Sequence, residues 1–158
     1  MFTITKMKFT VLALSVFLCL TARSQNTDKN PWAFNKNDIA PMALQLTAGY
    51  AQGWREEVLY HPKELFEQFP NLNRNFWDNR INRGSRGISI FRDANHLLKF
   101  IVTGTQSASV VIKIGDWKEF PKKDRWKKLL VDIFKYYGAY KLGFYFSYNI
   151  THGNKFTL

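Results

Sequence analysis

The chain has 158 residues and a net charge of +11, and 46 % of it is hydrophobic and 16 % aromatic. That is enough apolar material for one packed domain and too much for a disordered chain. The single cysteine, Cys19, excludes an internal disulfide, and with it a cysteine-based zinc site. The positive charge favours anionic partners, of which lipid headgroups are the first to consider.

Residues 1–24 read as a cleaved secretory signal. Lys6 and Lys8 give a basic start, Phe9 to Leu20 an apolar core, and Ala22-Arg23-Ser24 a small-x-small cleavage site. Removing Lys6, Lys8 and Arg23 with the signal lowers the charge from +11 to +8. The expected location is therefore exported, in the periplasm or at a cell-envelope membrane. Residues 25–37 are polar and turn-rich and read as a flexible leader. Residues 38–158 form the expected single helical domain.

The fold expected is mostly α: a small bundle of about three main helices, with a short helix and an irregular basic loop. The first main helix starts near Asp38, tolerates Pro41 in its first turn, and ends before Pro62. Gly49 and Gly53 form a GxxxG pattern that permits close helix approach. Leu46, Gly49, Gly53, Glu57 and His61 lie along roughly one stripe of this helix. Pro62 to Phe69 is a short amphipathic helix. Asn71 to Arg92 lacks a clear period; its Phe76-Trp77 reads as a plug for the end of the core, and Arg80, Arg83 and Arg86 as contacts to lipid or another anion.

The second helix begins after Asp93, a good N-cap, and runs to Gly115. Asp116 to Lys128 reads as a linker of interfacial character. In it Lys122, Lys123, Arg125, Trp126 and Lys127 suit an anionic membrane surface or an envelope protein. The third helix runs from about Asp124 to Tyr148. Its last part is aromatic enough to be a strand instead.

If the first two helices are antiparallel, Glu57 and His61 come near Asp93 and His96. The spacings E-x-x-x-H and D-x-x-H each put two ligands on one helical face, a set that suits zinc or non-haem iron. The third helix would return to the same end and bring His152 into range, while Asp132 falls toward the far end of the bundle and is no candidate for that site. The chain carries no G-x-S-x-G, HExxH, P-loop or dinucleotide glycine motif, so no catalytic residue is assigned. Export and the lack of a recognised binding motif set nucleic acid aside as a partner.

The segments AGYAQGWREEVLYH, FWDNR and FRDANHLL together resemble a group of short exported bacterial proteins of unknown function. In that group an FW-D/N segment precedes a D-x-x-H helix start. The resemblance covers residues 43–100 and implies export and helical membrane association, with no activity to carry over. The chain departs from the group at Asn82-Arg83-Gly84, where its members continue into a serine- and tryptophan-rich stretch.

Uncharged runs at Ile39–Trp54, Phe100–Ile112 and Leu142–Asn154 are each shorter than the roughly 18 residues of a membrane span. The arginine loop and the lysine-rich linker would also lie on opposite sides of a spanning hairpin, against the positive-inside rule. The sequence therefore favours a domain lying on a membrane or partly sunk in it, with a true multi-span protein as the close alternative. The function expected is that of an envelope interaction or structural protein, with the small metalloprotein as the alternative.

Overall fold

The computed structural model describes residues 30–78 and 92–151. A single 3₁₀ turn, Lys36–Asp38, leads into α1 (Ile39–Tyr60), which is followed by α2 (Pro62–Gln68) and α3 (Arg74–Trp77). Two long helices, α4 (Ala94–Glu119) and α5 (Arg125–Thr151), complete the bundle. Of the described residues 83 % are helical, and none is in a strand. The C-terminal aromatic stretch is thus helix. Helix α4 also runs a full turn past Gly115, which shortens the expected linker to a tight corner at Phe120–Asp124. Glycine near a helix end lowers helix propensity but does not stop a helix whose next turn makes contacts of its own.

Helix α1 lies in the middle. Helices α4 and α5 each pack along it and scarcely touch one another. Arg55 Nε donates to Asn95 Oδ1 (2.9 Å) at one end, and Asn37 Nδ2 to Asp116 Oδ1 (3.2 Å) at the other. Those two contacts make α4 antiparallel to α1. Helix α5 runs parallel to α1, since Lys128 meets Asp38 (2.9 Å) near their starts while Tyr148 Oη lies 3.5 Å from His61 Nε2 near their ends.

The α1–α5 seam is made of small residues. A Cβ built on Gly49 would run into the Tyr140 carbonyl, one on Gly53 would lie 2.9 Å from Phe144 O, and one on Gly143 3.0 Å from Tyr50 N. The seam face of α5 continues through Ala139, Gly143, Ser147 and Thr151, all buried and four residues apart. The GxxxG of α1 therefore meets G-x-x-x-S of α5, and the two backbones approach closely.

Two ends of the bundle differ in kind. Where α1 finishes and α4 begins, Trp54, Val58, Leu65, Phe66, Trp77 and Leu98 make an ordinary apolar core. The Trp54 and Trp77 rings lie 5.4 Å apart, and Trp77 with Phe76 (5.6 Å) plugs this end as the sequence suggests. Helices α2 and α3 turn Lys63, Glu64, Glu67 and Arg74 outward. Along the rest of α4 and α5 the pattern inverts. Val111, Phe134 and Leu142 are 70 %, 74 % and 68 % exposed, while Lys113 and Lys128 are 1 % and 0 % exposed.

Substituting Gly49 or Gly143 by Ala forces a methyl group against backbone that cannot give way, and should lower stability by about 1–3 kcal/mol. Gly104→Ala and Gly138→Ala enter open space and should raise it by up to about 1 kcal/mol. Thermal unfolding of the four variants, followed by far-UV circular dichroism, checks this opposite pair of signs.

Candidate functional site

Six charged side chains meet where the 3₁₀ turn, the last part of α4 and the first part of α5 converge. Asp38 is at the centre. Its Oδ1 accepts from Lys113 Nζ (2.8 Å) and Lys128 Nζ (2.9 Å). Its Oδ2 accepts from Lys135 Nζ (2.7 Å) and from the Asn35 backbone N–H (3.2 Å). Lys128 also donates to Asp132 Oδ1 (2.7 Å), whose Oδ2 accepts from the Trp117 indole (2.9 Å). Lys113 bonds Asp116 as well and lies 3.5 Å from Asp132.

Three carboxylates thus face three ammonium groups, and the cluster is neutral as a whole. Asp38, Lys128 and Asp132 are 0 % exposed. Burying isolated charges costs several kcal/mol each, and only good geometry with most lone pairs and protons satisfied offsets that cost. The local spacing is helical: Lys113 and Asp116 are three apart on α4, and Lys128, Asp132 and Lys135 are four and three apart on α5.

Among the described residues, Asp38, Asp116 and Asp132 are also the one group of three or more carboxylate or histidine ligands within 4.8 Å of one another. The cationic positions between them are taken by Lys113 and Lys128. A divalent ion would have to displace an ammonium group from each carboxylate it bound. The cluster is therefore an ion-pair lock, with lysine in the role a metal would fill.

Glu57, His61, Asp93 and His96 lie at the opposite end of the bundle. Glu57 is fully buried on α1, and His61 caps that helix beside Tyr148. Asp93 and His96 come together: Asp93 Oδ1 accepts the His96 backbone N–H (3.0 Å), and both its oxygens lie 2.8 Å from His96 Nδ1. Arg92 Nη2 donates to His96 Nε2 (3.2 Å) and Arg92 Nε to Asp93 Oδ2 (3.3 Å). The Nδ1 proton therefore faces the carboxylate, and the Nε2 lone pair faces the guanidinium. The four residues do not form a cluster of three or more ligands.

Arg80, Arg83 and Arg86, and also His152, lie outside the described residues. At the α4–α5 corner, Lys122, Lys123 and Trp126 are exposed. Arg125 instead closes the corner, donating through Nε to Phe120 O (2.9 Å) and through Nη2 to Lys118 O (3.0 Å). Lys127 pairs with Asp124 (3.0 Å). Asp132, set aside by the sequence reading, is central to the ion cluster. So are Asp116 and Lys128, which were read as linker. On α5 the buried Lys128 and Asp132 and the half-buried Lys135 continue the face of Ala139, Gly143, Ser147 and Thr151, but the sequence spacing alone does not say that this face turns inward.

No family model matches the chain, and neither a curated protein nor a solved structure matches it.

Removing one member of the lock strands the others. Asp132→Leu or Lys128→Met should cost about 3–5 kcal/mol, while the double variant Lys128→Met/Asp132→Leu should recover most of that loss. A double-mutant cycle on the unfolding free energy measures the recovery. At the other end, burial alone would raise the Asp93 pKa, but the hydrogen bonds from His96 and Arg92 outweigh it and hold the carboxyl below its ordinary 3.8. A depressed pKa contributes stability that is complete above that value and disappears as pH falls through the folded pKa. Asp93→Ala should therefore cost about 1–2 kcal/mol at neutral pH and much less in acid, where melts of wild type and variant converge.

Proposed function

We propose that this chain is an exported, membrane-embedded helical protein that acts through binding in the cell envelope and performs no chemistry of its own. One observation carries the reading: on α4 and α5 Lys113, Asp116, Lys128 and Asp132 are buried while Val110, Val111, Ile114, Leu129, Ile133 and Phe134 are exposed. Lys99, Lys118 and Glu119 on α4 and Lys141 on α5 stay exposed. In water, each exposed Phe, Leu, Ile or Val forgoes about 1.5–3 kcal/mol of burial, and the cluster of charges adds its desolvation cost. In a bilayer the outward faces meet acyl chains, and the inward charges find their partners inside the bundle.

The dimensions support this. Helix α4 is long and apolar enough to cross a membrane, and most of its apolar window is not buried within the bundle. From Leu129 to Ile150 the outward face of α5 extends for about 32 Å, close to the hydrocarbon thickness of about 30 Å. On the described part of that face Lys141 is the exposed charge, and it lies 5.5 Å from the Tyr137 ring centroid. Uncharged runs underestimate such a helix, because Lys128, Asp132 and Lys135 interrupt the sequence while facing inward. For that reason we place α4 and α5 within the bilayer, the multi-span alternative, in preference to a domain lying on its surface. Lys122, Lys123 and Trp126 then suit the anionic headgroup layer at the corner.

The metalloprotein alternative has one favourable observation, the buried Asp93 beside His96. The same contacts serve as an ordinary helix cap, since Asp93 accepts the His96 backbone N–H.

Cysteine accessibility in intact membranes tests the proposal, in a Cys19→Ser background. Val111→Cys and Phe134→Cys should resist a membrane-impermeant maleimide, while Glu67→Cys and Lys122→Cys should react once their side of the membrane is reached. Equal labelling at Val111 and Glu67, or a protein that stays monomeric without detergent, defeats the reading.

A further inference from the structure

Because α4 and α5 both pack on α1 and hardly on each other, a cleft opens between them, with α1 as its floor. It has a volume of about 470 Å³, within the range of small-molecule sites. Its inner wall carries Gln45, Gln106, Ser109, Lys113 and Tyr136; its outer edges are Val110, Leu129, Ile133 and Tyr137. Those four edge residues are exposed on the same outward faces that the preceding section assigns to lipid. The Tyr136 hydroxyl is buried, and no described residue offers it a hydrogen bond. A buried phenol without a partner forgoes the hydrogen bond it would make to water, so an acceptor entering the cleft would restore it.

We propose that this cleft binds an uncharged lipid amphiphile whose head carries a carbonyl acceptor and whose apolar tail leaves between α4 and α5. The inference rests on the membrane reading above. The choice of an uncharged head follows from the ion cluster next to the cleft. Lys113 is the cation on the wall, and its ammonium already serves Asp38 and Asp116, with Asp132 at 3.5 Å. An anionic head would find no spare positive charge and three nearby carboxylates. A cationic head would find every one of those carboxylates already accepting from lysine. A carbonyl oxygen suits what remains: the phenol of Tyr136, the hydroxyl of Ser109 and the amides of Gln45 and Gln106 as donors. Tyr137, Tyr140 and Trp117 also line the cleft and offer ring surface to a flat head. Two kinds of lipid share this chemistry, a prenylquinone-like ring and a neutral glyceride ester.

The test uses the full chain purified in a nonionic detergent and checked for folding by circular dichroism. Three probes are titrated: decylubiquinone, monoolein and oleate. Binding is read as a saturable change in tryptophan fluorescence and as a shift in melting temperature. At least one neutral probe should saturate near one per chain, with oleate at least tenfold weaker. Saturation by the quinone alone identifies a flat ring as the head, and saturation by monoolein alone identifies the ester. Tyr136→Phe, which keeps the ring, should weaken the binding about tenfold. Ile133→Trp, which narrows the mouth, should abolish it, and Lys63→Ala should leave it unchanged. Non-saturable partitioning of both neutral probes, equal in wild type, Tyr136→Phe and Ile133→Trp, overturns the inference, as does preferential binding of oleate. A folded protein that needs detergent and binds no probe loses this site and keeps its membrane assignment. One that is soluble without detergent loses the membrane assignment itself.

Discussion

A single carboxylate, Asp38, accepts hydrogen bonds from three lysine ammonium groups, and most of the arrangement of the bundle depends on it. Lys113 comes from α4, Lys128 and Lys135 from α5, and Asp38 itself from the turn that starts α1. The contact therefore fixes the level of all three long helices at once. Asp116 and Asp132 then balance the remaining charge, so that no member is left uncompensated. Ion pairs of this kind add little net stability over an apolar core of the same shape, but they penalise every register in which a partner is missing. The lock is best understood as the device that selects one alignment of α1, α4 and α5.

That alignment has consequences along the whole length of α1. With the starts of α1 and α5 pinned together, Gly49 and Gly53 fall opposite Tyr140, Phe144 and Ser147, and Gly143 falls opposite Leu46 and Tyr50. Backbones can then approach in parallel, which bulky side chains would forbid. Helix α4, antiparallel on the other side of α1, starts at the Asp93 cap and is tied to α1 there by Asn95 against Arg55. Both long helices use α1 as their common surface, so a gap between them is unavoidable. The cleft follows directly from a bundle in which the first helix is the centre.

The polarity of the molecule follows from the same arrangement. At the end covered by α2 and α3, apolar residues such as Leu65, Phe66 and Trp77 are buried and charged ones are exposed. Toward the ion cluster the order reverses, and Phe134 or Val111 faces out while Lys128 faces in. One chain thus presents one end suited to water and a long flank suited to acyl chains. On the proposed reading, that flank is the part of the protein that meets the bilayer.

By itself the sequence determined that the chain is helical, where α1 ends and where α4 begins; it ended α4 a turn early at Gly115 and left the last part of α5 open. Pro62 closes α1, Asp93 caps α4, and the GxxxG of α1 marks a close approach, because these effects act within a few residues of the side chain that causes them. The plugging by Phe76 and Trp77 was also legible, from aromatic bulk, whereas the antiparallel pairing of α1 with α4 entered only as a condition, because residues 61–93 between them leave the direction open. Glu57, His61, Asp93 and His96 were placed at one end of the bundle by the same reasoning, but whether they formed a cluster depended on helix rotation, which spacing leaves open. The ion lock was not legible. Asp38 lies 75 residues from Lys113 and 90 from Lys128, and in sequence Lys128 looks the same as the exposed Lys122 and Lys123 beside it. Only the tertiary structure decided which lysines turn inward, because a charge is buried where a partner from another helix stands ready for it, and no local property of the chain specifies that.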